Sequence, residues 1–277
     1  MVSPILLLGP ALTWLVIFLV FPLALIFVYS FLQRSPFGQI VFQPSLDNYL
    51  RLFNPTVLRV FLNSLRIAFI VTLLALLLGY PTAYFISSQP SRWKNTLLVL
   101  VILPFWTSYL IRTYAWIVLL NREGVLSRFL LGLGLIREPI SFLYNDTAIV
   151  IGLLYGYLPF MVLPLYSSIE RLSPELREAS FDLGAPPLRT FWHITLPLTL
   201  RGIVTGAIFV FVPSLGNFFV PELLGGGQRF MIGNMINNQF LQARNWPYGS
   251  AMAFGVMAIV LALLFFQAWV TRRTEQV

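Results

Sequence analysis

The sequence predicts an all-helical integral membrane protein with six transmembrane helices, and three observations carry that prediction. Hydrophobic residues occupy 58% of the 277 positions and charged residues only 10%, whereas roughly a quarter of residues are charged in soluble domains; the mean hydropathy is +0.81. Apolar runs of about 20 residues, long enough to cross a hydrocarbon core of roughly 30 Å as a helix, recur along the whole chain. These runs are continuous rather than alternating, which selects helices over a membrane barrel.

The predicted spans are residues 5–31, 62–86, 97–120, 147–168, 200–221 and 249–270. The first, "ILLLGPALTWLVIFLVFPLALIFVYSF", has no basic leader, is too long for the apolar core of a signal peptide and lacks a small-residue cleavage site, so it reads as a retained span. The second carries Gly79 and Pro81 in "LLLGYPTAYF", the fourth Pro159 and Pro164 in "YGYLPFMVLPLY", and the fifth Pro213 and Gly216 in "FVPSLGNFFVPELL". Such residues open backbone carbonyls and bend the axis; ordinary kinking and a hinge or pathway role are both compatible with them. The intervening loops are 32–61, 87–96, 121–146, 169–199 and 222–248, and residues 1–277 read as one membrane domain without an internal repeat.

Charge and rare residues narrow the function. The net charge of +8 comes from 18 basic and 10 acidic residues scattered through loops, a membrane-interface pattern with no basic stripe for nucleic acid. The absence of cysteine excludes disulfides, thiol catalysis and cysteine metal sites, and the single histidine, His193, excludes a multi-histidine metal site. Loop charge favours a cytoplasmic N-terminus slightly, with Arg92, Lys94, Arg171, Arg177, Arg189, Arg201, Arg272 and Arg273 inside and "TRRTEQV" (271–277) as an inner anchor.

The fourth loop, about 169–199, departs most from its surroundings: "RLSPELREASFDLGAPPLRTFWHITLPLTLRG". Ser173 suits an N-cap and Pro174 the first helical position, with Glu175 and Glu178 near the positive end. Leu176, Ala179, Ser180 and Leu183 share one helical face. Gly184 is placed to end the helix in a left-handed turn, and Pro186 and Pro187 start a second short helix. Ala179 and Gly184 allow another protein surface to approach closely. The plain alternative is an interfacial loop that only joins two spans.

The spacing of Glu178, Ala179, Ser180, Gly184, Ile194, Leu196 and Pro197 resembles the signature loop of the permease subunits of binding-protein-dependent ABC importers. This resemblance implies the type I importer permease fold, with coupling helices between helices 4 and 5 that dock on a separate cytoplasmic ATPase. The docking set then comprises Glu178, Ala179, Ser180, Asp182, Leu183, Gly184, Ala185, Ile194, Leu196 and Pro197. That family usually has alanine where this chain has Ser180. The resemblance implies a bacterial inner-membrane location and both termini in the cytoplasm. It also implies a second permease subunit, similar but distinct, together with two ATPase copies and an extracytoplasmic substrate-binding protein.

No nucleotide site is expected in this chain, because its one lysine, Lys94 in "SRWKNT", lacks the glycines of a phosphate-binding loop. ATP and Mg then belong to the partner ATPase, and no cofactor or metal to this chain. Residues 103–120, 153–172 and 232–251 resemble corresponding stretches of spermidine/putrescine importer permeases, which points to polyamine cargo. Importers of other small solutes, such as iron(III), thiamine, phosphonate or another organic cation, are the main alternative. A secondary transporter or channel, or a membrane enzyme, would need intramembrane acids or a catalytic cluster that the spans lack.

A polycation suits aromatic faces and carboxylates. Trp106, Tyr109, Tyr114 and Trp116 in span three are path candidates, helix packing or lipid contact being the alternative, and Glu222 marks the outer entrance, a plain helix end or a binding-protein contact. Arg112, inside span three, is expected to bond opened carbonyls or a carboxylate, or else to gate. Arg66, near the outer end of span two, is expected to snorkel. His193 is expected to pack or hydrogen-bond in the second short helix.

Overall fold

The computed structural model describes residues 4–35 and 37–274, with side chains from residue 9 to residue 265. The side chains of the "TRRTEQV" anchor therefore lie outside the described residues. Helix α1 (Pro4–Leu15) passes through five π-helical residues, Val16–Val20, into α2 (Phe21–Ser30). Pro22 offers no N–H to the carbonyl one turn back, and the ladder widens there. From Gly9 to Ser30 this is one apolar stretch with none of its hydrophobic window buried in the chain, as a lipid-facing helix requires.

The next loop is more ordered than the sequence predicts. A two-residue antiparallel pairing joins β1 (Gln33–Arg34) to β2 (Ile40–Val41). Helix α3 (Asp47–Leu50) and a 3-10 turn, Arg51–Phe53, follow. Asn48 is buried, and its Nδ2 donates to the carbonyls of Ser30 (3.1 Å) and Leu32 (2.7 Å), which closes the end of α2. Helix α4 (Pro55–Ser87) starts well before the predicted position 62, because Asn54 Oδ1 caps the Thr56 N–H at 2.9 Å and Pro55 suits the first turn.

The predicted third span, 97–120, is broken. Helix α5 (Ser91–Ile102) runs into a 3-10 turn, Leu103–Trp106, and α6 (Tyr109–Leu120) restarts beyond it, the two arms meeting at 86°. Pro104 removes a backbone donor, and Thr107 and Ser108 are extended, so the helix cannot continue. Helix α7 (Val125–Gly132) lies in the predicted loop 121–146. Helix α8 (Asp146–Glu170) matches the fourth span and is capped by Asn145 Oδ1, which accepts the Ala148 N–H at 2.9 Å.

The loop after α8 folds into α9 (Pro174–Asp182), α10 (Pro187–Thr190), a π-helical stretch Phe191–Thr195 and α11 (Leu196–Leu198). Helix α12 (Leu200–Gly216) then leaves at 64° to the preceding arm. The predicted fifth span, 200–221, stops at Gly216. Asn217 is extended, and its Oδ1 accepts the Val220 N–H at 2.9 Å, capping a new short helix, α13 (Phe219–Leu224). Helices α14 (Ile232–Leu241), inside the predicted loop 222–248, and α15 (Trp246–Thr274) complete the order. Four helices are long and apolar enough to cross a membrane, or up to six with each bent pair as one span, among the described residues.

The chain forms two compact units, Leu62–Met231 and the combination of Met1–Phe61 with Ile232–Val277. In the first of these, Ile67, Ile149, Leu153, Met161, Leu165 and Leu224 are fully buried. Helices α8 and α12 touch almost backbone to backbone. A Cβ on Gly202 would lie 2.5 Å from Ser168 Cβ and 2.9 Å from the Pro164 carbonyl, and one on Gly206 would lie 2.7 Å from Met161 Sδ. Gly202 and Gly206 are four apart, the small-residue spacing that lets membrane helices approach closely. In the other unit, α15 packs on α2 and α14, with Phe27 and Phe254 edge to face at 5.1 Å.

Candidate coupling surface and substrate path

The loop between α8 and α12 follows the sequence closely in backbone. Ser173 is extended at the N-cap and Pro174 opens α9, but no side-chain cap forms; Ser173 Oγ donates to Glu175 Oε2 at 3.3 Å instead. Gly184 has φ +78° and lies open to solvent, a backbone conformation that side-chain-bearing residues resist. Pro186 and Pro187 open α10. Leu176, Glu178, Ala179, Asp182 and Gly184 are exposed, and Leu183 is 88% exposed. With Phe181, Leu188 (70% exposed) and Trp192, they make an apolar, acid-edged surface that nothing in the chain covers among the described residues.

Ser180 is the exception on that face. It is buried, and its Oγ shares a 2.8 Å hydrogen bond with Thr190 Oγ1, while Ala185 N–H donates to the Ser180 carbonyl at 3.1 Å. The hydroxyl thus ties α9 to α10 from inside the hairpin. Ala185, Ile194 and Leu196 are half-buried and Pro197 is exposed. His193 lies in the π-helical stretch, exposed, with Nδ1 hydrogen-bonded to the Arg189 carbonyl at 3.0 Å.

Two residues that sequence reasoning missed join this hairpin to the spans. The bend between α11 and α12 falls at Thr199, which is buried and donates to the carbonyls of Thr195 (2.8 Å) and Leu196 (3.1 Å). Tyr80 of α4 shares a 2.9 Å hydrogen bond with Thr199 Oγ1, and its ring meets Phe191 edge to face at 5.5 Å. A tyrosine in the interior of an apolar span was the available signal, since a buried phenol needs a partner. Lys94 and Glu170 add an ion pair at 2.6 Å between the start of α5 and the end of α8.

The aromatic residues predicted for the path do not form one cluster. Trp106, 76% exposed, sits before the 86° break, Tyr114 is exposed, and Trp116 packs on Tyr155 at 5.6 Å. Tyr109 alone enters a polar junction. Asn217 Nδ2 donates to Tyr109 Oη and to Tyr157 Oη, both at 2.8 Å, and Tyr157 Oη donates to the Pro213 carbonyl at 3.4 Å. An open pocket of about 520 Å³ lies there, walled by Tyr109, Tyr157, Phe218 and Phe219, with Pro213, Gly216 and Asn217 at the end of α12. The break before Tyr109 and the end of α12 at Asn217 meet at this place, half-way along α8. Neither Asn217 nor Tyr157 stood out in the sequence, because nothing in spacing alone brings residues from three spans together. Glu222 is exposed on α13.

Two expectations about arginine need correction. Arg112 bonds neither carbonyl nor carboxylate through Nε or Nη1, both buried without a hydrogen-bond partner; the guanidinium lies 4.7 Å from the ring centre of Phe105 and 5.5 Å from that of Tyr109. The helix break brings Phe105 back over α6 and supplies an aromatic face in place of an oxygen. Arg66 does not simply snorkel. It ion-pairs with Asp146 at the start of α8, where Arg229 Nε also stands 3.8 Å from Asp146 Oδ1.

An exposed apolar hairpin between helices long and apolar enough to cross a membrane, and broken helices that meet at a polar junction, are the features of a membrane permease. The chain belongs to the binding-protein-dependent transport system inner membrane components, whose family model matches residues 72–276; this is a family of transporter subunits, not enzymes. At the level of particular proteins, it is 46% identical over 258 residues to the spermidine/putrescine transport system permease protein PotB of Escherichia coli (strain K12), covering 92% of this chain and 93% of that one. PotB of Haemophilus influenzae is 43% identical over 254 residues, covering 92% and 88%. In fold it is similar to a bacterial alginate ABC transporter in complex with an alginate pentasaccharide-bound periplasmic protein, with TM-score 0.76, 22% identity, and 97% and 93% of the two chains covered.

Proposed function

We propose that this chain is a permease subunit of an ATP-driven polyamine importer, carrying spermidine or putrescine into the cell by alternating access. The observation that carries the cargo is the 46% identity to PotB over nearly the whole of both chains. Both termini face the cytoplasm, and the hairpin of α9 and α10 docks on one of two copies of an ATPase that holds ATP and Mg. Six spans from one chain enclose little space, so a second, similar permease completes the path, and an extracytoplasmic binding protein delivers substrate.

The hairpin is built for this transmission. Leu183, Leu188 and Trp192 present the contact, the Ser180–Thr190 bond keeps its two arms together, and Thr199 with Tyr80 passes movement to α12 and α4. Closure of the ATPase pair and docking of the binding protein open the path outward; hydrolysis resets it. Within the path, the Tyr109–Asn217–Tyr157 junction receives the alkylammonium groups. The carboxyl end of α12 directs carbonyl oxygens and the negative end of its dipole there, and the rings supply faces for cations. Glu222 draws ammonium groups toward the entrance.

The test is uptake of labelled spermidine and putrescine by the complete complex reconstituted in vesicles. ATP-dependent accumulation of either is the expected result. Accumulation without the ATPase overturns the coupling, and ATP hydrolysis stimulated by a different solute with no polyamine uptake overturns the cargo.

A further inference from the structure

The unit formed by residues 1–61 and 232–277 carries an apolar cavity of about 440 Å³ that the transport path does not use. Phe27 of α2, Phe53 of the 3-10 turn, Phe61 of α4, and Met252, Ala258 and Ile259 of α15 line it. Its one hydroxyl-bearing neighbour, Tyr49, turns that group away to share a 2.7 Å hydrogen bond with Ser30 Oγ. A cavity so lined gives water nothing to bond, and one of about 150 Å³ already accepts a benzene ring. A hydrocarbon chain is the ligand of matching chemistry that a bilayer supplies.

Directly beside this cavity lies an open polar basin of about 620 Å³ lined by Asp47, Leu50, Arg51, Phe53 and Asn54, so that Phe53 borders both. Asp47 and Arg51 are one helical turn apart, yet form no ion pair with each other among the described residues. Each has its own neighbours. The Arg51 guanidinium lies 5.4 Å from the centre of the Tyr248 ring, and Tyr248 Oη donates to the Arg51 carbonyl at 3.5 Å. Ser45 Oγ accepts the Asp47 N–H at 3.0 Å, and Gln33 Nε2 donates to Asp47 Oδ2 at 3.5 Å. Tyr29, Trp246 and Tyr248 stand at the adjoining ends of α2 and α15, with Tyr29 and Trp246 6.4 Å apart. Tyrosine and tryptophan mark the level of lipid headgroups.

We propose that this unit holds one phospholipid with a phosphoethanolamine headgroup: an acyl chain in the apolar cavity, the phosphate on Arg51 and the ammonium toward Asp47. A cation and an anion one helical turn apart, left unpaired with each other beside a hydrocarbon slot, match a zwitterionic lipid in charge. An anionic lipid would meet the Asp47 carboxylate, and an apolar helix from a second permease would fill the cavity and leave both charges of the basin unmatched.

Native mass spectrometry of the complete complex, exchanged into mixed micelles of phosphatidylethanolamine and phosphatidylglycerol, tests this. The expected result is one phosphatidylethanolamine retained under conditions that strip bulk lipid. Ala258→Phe, an exposed position that tolerates a larger side chain without repacking the core, fills the slot and lowers retention about tenfold or more. Arg51→Ala lowers it without touching the slot, and Asp47→Asn shifts the preference toward phosphatidylglycerol. Equal or preferred retention of phosphatidylglycerol by the unaltered complex overturns the headgroup assignment. Full retention in Ala258→Phe overturns the slot, and a cross-link from Phe53→Cys to the second permease in place of bound lipid overturns the proposal as a whole.

Discussion

Asn217 shows how much one side chain settles in a membrane interior. Its Oδ1 starts α13, while its Nδ2 binds two tyrosines from separate helices. Hydrogen bonds between membrane helices are worth about 0.6 kcal/mol each on average. Asn217→Ala, losing two such bonds, lowers polyamine uptake roughly five- to tenfold, chiefly through KM, in transport assays on vesicles. Tyr109→Phe removes one of the two bonds and keeps the ring, so its KM rises less than that of Tyr109→Ala. On the N-terminal side of α12, Gly184→Val forces a β-branched residue into a left-handed turn. Membrane insertion continues, measured by surface labelling in vesicles, while ATP-dependent uptake is lost, as the proposed docking of the ATPase requires.

At the scale of elements, the most legible feature was the hairpin, whose caps, stop and restart are written in local chemistry. Pro174, Gly184 and Pro187 fix α9, the turn and α10 without help from distant residues. The breaks at Thr107–Ser108 and at Asn217 were illegible for the opposite reason. Hydropathy measures what lipid tolerates, and it runs unbroken through both, so the sequence reads one straight span where the chain bends by 86°. Pro213 and Gly216 gave warning of a bend and not of its size, and Pro104 was not singled out. Ser180 was read as a small residue suited to docking, whereas burial makes it the bolt between two short helices. Ser180→Ala, which removes that bond at a cost of about 1 kcal/mol, leaves the hairpin folded but lowers the coupling ratio of polyamine moved per ATP hydrolysed. Thr190→Val does the same, and the double variant adds little beyond either, as a double-mutant cycle detects.

For the whole molecule, the tight seam between α8 and α12 decides which parts can change position. Valine at Gly206 would meet the Met161 sulfur and backbone at less than contact distance, an overpacking that costs about 1–3 kcal/mol, and Gly206→Val lowers the yield of assembled permease, read by thermal shift in detergent. Tyr80→Phe spares the seam but cuts the tie between α4 and Thr199; uptake falls while the melting temperature moves by only a degree or two, on the order expected for one hydrogen bond of about 1 kcal/mol.

The seam also imposes a kinematic rule. Two rods locked along their length by facing glycines, serine and methionine cannot slide or scissor, so they travel as a single lever. The stroke must then be absorbed where the rods end, at the 64° elbow of Thr199 on one side and the wrist at Asn217 on the other. Probes fixed across the lever should report one unvarying separation throughout the transport cycle, while probes straddling either joint record the entire motion.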